Sequence, residues 1–279
     1  MPCSSPRPEA PSPTWRASPG ARPPGTSWQQ PPASTPPPAR SCRRSSDREA
    51  NRSRSSRPTR KEHHLMTRIG ILGAGRVGAN LADRLASAGH DVILGRRDPK
   101  AQSAAPDEAL HPHIPCSDQR TAARTADIVI NATPGDSALD RLTDLRGELA
   151  GKILVDVSNA TRDAGGLPGD LCYPGSSLAE RLQAALPDTH VVKTLNTMLF
   201  MVMTAPDMLA TPPTAYVSGD DEHAKKTVTG LLGDLGWQPA WIEDLGDITT
   251  ARATEAMILV VPHILRRHGF KPFAVSLAR

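Results

Sequence analysis

Short apolar runs with no helical period alternate along this chain with apolar positions spaced one helical turn apart. Ile69, Ile71 and Leu72 form a run that stops at Gly73-Ala74-Gly75-Arg76-Val77-Gly78. Behind that turn Val77, Leu81 and Leu85 recur at i, i+4 and i+8, while Asp83, Arg84 and Ser87 fall elsewhere. Gly89 then stops the helix, and Val92-Ile93-Leu94 is the next apolar run. The pattern predicts strand, glycine turn, helix and strand, a βαβ unit of about 30 residues. Buried-type strands are predicted again at 127–132, 151–157 and 190–198, with a helix at 178–186 whose Leu178, Leu182 and Leu186 share a face. A glycine- and proline-rich loop is expected between Ala160 and Ser176. Segments 215–219 and 237–242 extend the sheet around a helix at 221–235. This alternation predicts an α/β Rossmann fold, a doubly wound parallel sheet with a small C-terminal helical portion. The last helix, 249–268, holds the unbroken apolar run 256–261 before Pro262. It is expected to be kinked by the proline, and buried in the core or in a homodimer interface.

Each glycine of the turn has a job in binding a dinucleotide. The first permits the tight turn, the second lets the backbone approach a pyrophosphate, and the third lets helix and strand pack closely. The helix N-terminus adds free N–H donors and a positive dipole end. Gly73, Ala74, Gly75, Arg76, Val77 and Gly78 are therefore assigned to cofactor binding; the alternative is a purely structural turn. At the end of the second strand, where an NAD site carries a carboxylate, the chain reads Gly95-Arg96-Arg97-Asp98. The guanidinium groups of Arg96 and Arg97 suit a ribose 2′-phosphate in geometry and charge, which points to NADP, although Asp98 is close enough in sequence to serve a ribose instead.

Composition divides the chain. Residues 1–65 are dense in Pro, Ser and Arg, with almost no aliphatic residues apart from Leu65, and 14 of the 28 prolines lie before position 60. Such a segment cannot bury enough apolar surface to offset ordering entropy, so a disordered tail is expected. It has no apolar stretch of the kind a secretory or twin-arginine signal needs. Residues 1–66 hold 12 Lys or Arg against 4 Asp or Glu, and the remainder holds 21 against 25. The basic excess thus belongs to the tail, and the acidic remainder offers no basic stripe for nucleic acid. Met66 stands two residues before the first strand, so the upstream segment is expected to be an over-extended reading frame, with a binding domain over 66–200 and a sheet extension with cleft-closing helices over 201–279. Cys116 and Cys172 are far apart with no CxxC, and His111, His113 and Cys116 are separated by prolines, so neither a disulfide framework nor a metal site is expected. No apolar run is expected to approach the ~18 residues of a membrane span, and a cytoplasmic protein is inferred.

The predicted strands end in small polar sequences: Ala132-Thr133-Pro134, Ser158-Asn159-Ala160 and Asn196-Thr197-Met198. Open parallel sheets bind ligands at that edge, so these residues are cofactor-contact candidates, with caps and turns as the alternative. Lys193 could act as an acid on a carbonyl substrate, or simply form an ion pair at a strand end. No Tyr-x-x-x-Lys pair or obvious His–Asp dyad stands near the strand ends, and residues 66–279 contain only two tyrosines.

The segments GILGAGRVG, GRRDP, DIVINATP, LVDVSNA, SSLAERLQAALPDTHVVKTLNT and KPFAVSLAR resemble the NADPH-dependent F420 reductases and their bacterial relatives, over nearly all of residues 66–279 and none of the tail. The VVKTLNT block, similar to the family's VVKAFNT, is the most specific part. The resemblance implies NADP along the sheet edge and direct hydride passage between nicotinamide C4 and deazaflavin C5. It implies that Thr133 and Pro134 flank the nicotinamide half and that 158–160 and 196–198 line the cleft for the second ring. Met198, whose thioether adapts to a flat partner, would lie against that ring. Two departures, Asn196 where archaeal members carry histidine and Met198 in place of a β-branched residue, put the acceptor in doubt more than the NADP. The electron-transferring domain of metalloreductases that pass NADPH electrons through flavin is similar too, which makes flavin a second candidate ring. Three readings follow: an F420 or flavin reductase using NADPH, a carbonyl dehydrogenase with Lys193 as acid, and a non-catalytic NADP-binding regulator.

Overall fold

The computed structural model describes residues 66–97 and 114–277; the expected disordered tail, Asp98, His111 and His113 lie outside the described residues. In chain order the elements are β1 Arg68–Leu72, α1 Arg76–Ser87, β2 Asp91–Arg96, β3 Cys116–Asp118, α2 Gln119–Thr125, β4 Ile128–Asn131, α3 Ala138–Thr143, α4 Arg146–Leu149 and β5 Ile153–Asp156. There follow β6 Thr161–Asp163, β7 Pro168–Leu171, α5 Leu178–Ala185, β8 His190–Thr194, α6 Phe200–Thr204, β9 Ala215–Ser218, α7 Glu222–Asp234, β10 Ile242–Asp244, α8 Ala251–Ala256 and α9 Val261–His268.

One sheet carries the order β10-β9-β8-β5-β4-β1-β2-β3. Its inner strands are continuous apolar runs because both faces are covered. Ile69, Ile71, Leu81, Leu85, Val92 and Leu94 belong to the core on the α1, α6 and α7 face. Leu72, Val129, Leu142, Leu154, Leu178 and Leu182 belong to the core on the α2 to α5 face. The glycine turn between β1 and α1 is enforced sterically. Gly73 has φ +108°, and a Cβ on Gly78 would stand 1.8 Å from the Gly73 carbonyl oxygen. Helix α5 starts with a reciprocal cap, in which the Ser177 hydroxyl accepts from the Glu180 N–H at 3.1 Å and donates to the Glu180 carboxylate at 2.8 Å.

The sheet is mostly parallel rather than wholly so. β9 pairs antiparallel with β8, and β10 parallel with β9. A parallel neighbour needs a crossover helix that returns the chain along the sheet face. The link after β8 contains no longer helix than the five-residue α6, followed by a 3-10 turn Pro206–Met208, and α6 is pinned to α1 by bonds from Asn80 Nδ2 to the Phe200 carbonyl and the Thr204 hydroxyl, both 2.7 Å. The chain therefore re-enters the sheet from the edge it had just left. The loop expected after Ala160 holds an antiparallel hairpin, β6 and β7. The polar, Ala-rich stretch before β4 supplies β3 and α2, two elements that no periodicity announced.

The C-terminal helix departs furthest from expectation. It breaks into α8, a 3-10 segment Met257–Val260 and α9, with Pro262 in the first turn of α9 where its missing N–H costs nothing. Most of the apolar run stays outside the core of this chain: Leu259 is 43% and Val260 41% exposed, and of 256–261 only Val261 is buried. Both sheet faces are already covered, so only Ala251, Thr254, Glu255, Val261 and Pro262 turn inward. Contrary to expectation, Ile248–His268 is long and apolar enough by length and composition to cross a membrane. Its first half is nevertheless built into the sheet protein, with Ala251 fully buried and Glu255 bonded to the α5 N-terminus and to Lys193.

Candidate functional site

The carboxyl edge of the sheet opens into a cleft of about 980 Å³ that begins at the glycine turn. Gly75 is the N-cap of α1, and nothing lies within 4 Å of where its Cβ would stand. Gly75, Arg76 and Val77 line the cleft, so the first turn of α1, with no side-chain cap, borders it as a pyrophosphate cradle requires. Arg96 and Arg97 line the same cleft with Gln119. These features fit a dinucleotide with a phosphate on its ribose.

The predicted residues divide between wall and support. Gly73, Ala74, Gly75, Arg76 and Val77 line the cleft, as do Arg96, Arg97, Ala132, Thr133, Pro134, Ser158, Asn159, Asn196 and Met198. Three others do not. Gly78 is buried in α1 and Ala160 is 2% exposed. Thr197 is 4% exposed, with a hydroxyl that finds no partner.

Polar side chains at the strand ends hold one another in place. The Thr133 hydroxyl donates to Asn131 Oδ1 at 2.6 Å, and Asn131 Nδ2 donates to Asp156 Oδ1 at 2.9 Å. The Ser158 hydroxyl donates to that same Asp156 oxygen at 2.7 Å. Asn159 and Asn196 exchange bonds: Asn159 Nδ2 donates to the Asn196 carbonyl at 2.8 Å, and Asn196 Nδ2 to Asn159 Oδ1 at 2.9 Å. Between β8 and Asn196, Leu195 has φ +59°, a left-handed conformation unusual for a buried leucine. The reciprocal amide pair is what over-determines that turn.

Lys193 lies beneath this layer. At 1% exposure it does not reach the cleft, which removes it as an acid for a carbonyl substrate. Its Nζ donates to Asp156 Oδ2 at 2.8 Å and to the Ser158 carbonyl at 2.5 Å, and pairs with Glu255 Oε1 at 2.8 Å. Glu255 in turn accepts from the N–H groups of Leu178, at 2.9 Å, and Ala179, at 3.3 Å, where the α5 dipole favours its charge. Burial works to lower the Lys193 pKa, but the charges of Asp156 and Glu255 and their hydrogen bonds outweigh it, and the net shift is upward. The lysine is a fixed cation that ties β5, β8, α5 and α8 together.

The residues sequence reasoning missed come from elements without a motif. Gly135, Arg141, Phe200, Met203 and Phe270 also line the cleft. Arg76 is held between two rings, 5.6 Å from the Phe200 centroid and 5.7 Å from that of Phe270. The chain has only three phenylalanines, so finding two of them there was a compositional signal open to reading. Behind Phe270 the C-terminal segment is strapped to the β8 exit, with Leu199 N–H donating to the Phe273 carbonyl and Val275 N–H to the Thr197 carbonyl. Arg141 carried no signal in the sequence.

Replacing Lys193 with methionine leaves two carboxylates buried without their cation. The expected loss of unfolding free energy in urea is about 3–5 kcal/mol. Because the lysine pKa is raised on folding, its stabilisation is fully present at neutral pH and is lost only as pH climbs above the unfolded value of about 10.4. A variant as stable as the parent, yet inactive, would restore Lys193 as a chemical group.

Comparison with known proteins identifies the family. The profile of the family described as NADP oxidoreductase, coenzyme F420-dependent, matches residues 68–160. The F420-dependent NADP reductase of Methanocaldococcus jannaschii is 31% identical over 202 residues, 68% of this chain and 88% of that protein. Metalloreductase STEAP3 of Rattus norvegicus is 32% identical over 196 residues, 69% of this chain but only 36% of its own length. The chain thus spans little more than a third of the metalloreductases it matches. Among solved structures, a candidate F420-dependent NADP-reductase from Arthrobacter sp. FB24 aligns with TM-score 0.71 and 39% identity, covering 76% of this chain and all of that one. On the fold, the cleft and these relatives together, the chain belongs to the F420-dependent NADP oxidoreductase family.

Proposed function

We propose that this protein moves a hydride between NADPH and a flat heterocycle, a deazaflavin such as F420 or a flavin, stacked in the same cleft. The observation that carries the reading is the chemistry of the cleft wall. Among the described residues, the titratable side chains lining it are Arg76, Arg96, Arg97 and Arg141. Guanidinium groups stay charged and offer no proton at neutral pH. Carbonyl reduction needs a positioned acid, whereas transfer between two stacked rings needs orientation and exclusion of water. The relatives named as F420-dependent NADP reductases support the same partner class.

Each end of the cleft has its task in this reading. The glycine turn and α1 N-terminus hold the pyrophosphate, and Arg96 and Arg97 hold the ribose phosphate. When bound, NADPH supplies the hydride. Asn159 and Asn196 fix the β5 and β8 exits on which the nicotinamide half would rest. Met198, Phe200, Met203 and Phe270 give the other end an apolar wall suited to a second ring. Met198 is only 8% exposed and pairs as an isolated bridge with Ala274, so Phe270, 55% exposed, presents the larger face.

The exposed 3-10 stretch Met257–Val260 is an apolar face that a second copy of the chain could cover, making a homodimer whose mass light scattering would detect. The acidic balance of residues 67–279 argues against nucleic acid as a partner, and a cytoplasmic setting matches soluble nicotinamide and deazaflavin cofactors.

The test is NADPH oxidation by the full chain with F420, FMN and a panel of small aldehydes and ketones, side by side. Turnover is expected with at least one of the ring acceptors and not with the carbonyls. Phe270→Ala should raise KM for the ring roughly tenfold while NADPH affinity stays within about threefold, less than the 1.4 kcal/mol a tenfold change represents. Carbonyl turnover alone would sink the reading, and tight NADPH binding with no turnover on any acceptor would favour a regulator.

A further inference from the structure

Arg141 stands in the cleft wall on the side of β4. It projects from α3, the first full helix after β4, and its Nη2 donates to the Ser137 hydroxyl at 3.0 Å. In the sheet, β1 lies between β4 and β2. The exits of β4 and β2 are thus separated by two strand spacings, about 10 Å. Arg141 rises on the β4 side of that gap and Arg96 and Arg97 on the β2 side, with Gln119 at the start of α2 completing the end of the cleft.

Like charges facing each other across a cleft cost free energy unless an anion sits between them. Arg141 lines the cleft at intermediate exposure, and its hydrogen bond among the described residues is to a neutral hydroxyl. Partial burial and then the charge of Arg97 pull its pKa below that of an ordinary guanidinium, against a weaker opposing effect from Asp136. A surface arginine with no task could swing into water. This one is held by Ser137 so that its fork faces the same space as Arg97. A dianion resolves the arrangement, since a phosphate monoester accepts bonds from several forks at once.

We propose that Arg141 is the third arm of the site that reads the ribose 2′-phosphate of NADP, closing it from the β4 side opposite Arg96 and Arg97. This rests on the cofactor reading above and deepens it. Discrimination against NAD then comes from two walls of the cleft, one of them on a helix outside the glycine-turn unit. The β4 exit, Thr133 to Gly135, would be coupled through α3 to the phosphate.

The test measures binding of adenosine 2′,5′-bisphosphate and of AMP, identical probes apart from the 2′-phosphate, to the full chain and to its Arg141→Gln, Arg141→Lys and Arg97→Ala variants. Circular dichroism and the melting temperature of Arg141→Gln check that helix α3 stays folded. Arg141→Gln should weaken the bisphosphate about tenfold or more and leave AMP within about twofold, as removal of one charge-assisted bond does. Arg141→Lys should fall between, and the gap between probes should shrink as salt is raised. Equal weakening of both probes would mean that Arg141 stacks on the base or holds the loop, and no change in either would mean it faces solvent; both overturn the proposal. A parent chain that binds the bisphosphate no better than AMP overturns the NADP reading itself, and is distinguished from a failure of Arg141 by the parent measurement alone.

Discussion

The cleft depends on one buried cation. Lys193 sits under the carboxyl edge of the sheet with Asp156 on one side and Glu255 on the other. Two carboxylates around one ammonium leave a net negative charge inside the protein, which would be costly if it stopped there. It does not stop there. Asp156 takes further bonds from Asn131 and Ser158, and Glu255 takes the first N–H groups of α5. The charge is spread over two strand exits and a helix N-terminus, and each partner is fixed by the others.

That arrangement explains why the cleft wall can be so poor in acids and bases. The ionisable groups of the strand ends face down, into the protein, where they set backbone positions. Among the described residues, what faces up is a glycine turn, amides, hydroxyls, apolar side chains and four arginines. The strained turn at Leu195 and the reciprocal Asn159–Asn196 pair rest on this base, so the polar network fixes the geometry of the cleft wall. Rigid strand ends of this kind serve a reaction whose main demand is the alignment of two flat molecules.

Much of this could be read from the sequence where the information is local. The βαβ unit was legible because a glycine at positive φ and another in close approach leave a spacing no other residue can fill, and the β4, β5 and β8 strands were legible as continuous apolar runs. Lys193 was legible as an ion pair or an acid, but not which, because the choice turns on Glu255, sixty-two residues later in an otherwise apolar stretch. That lone carboxylate among Ala256, Met257 and Ile258 was the available signal. Short α2 and β3 escaped because Ala, Thr and Arg show no hydrophobic period. The reversal at β9 depends on how α6 docks against α1, and the places of Arg141 and Phe270 depend on sheet order and on a C-terminal strap; none of these is a property of a sequence window.

The central claim is direct passage of hydride between two rings held in one cleft. NADPH carrying deuterium at both nicotinamide C4 positions, mixed with the full chain and oxidised F420 in ordinary water, tests it most directly. The account predicts that the reduced deazaflavin carries one deuterium at C5, seen by NMR or mass spectrometry, because that carbon does not exchange with water. Reduced F420 without the label would contradict it, since the electrons would then have travelled by way of a group in contact with solvent.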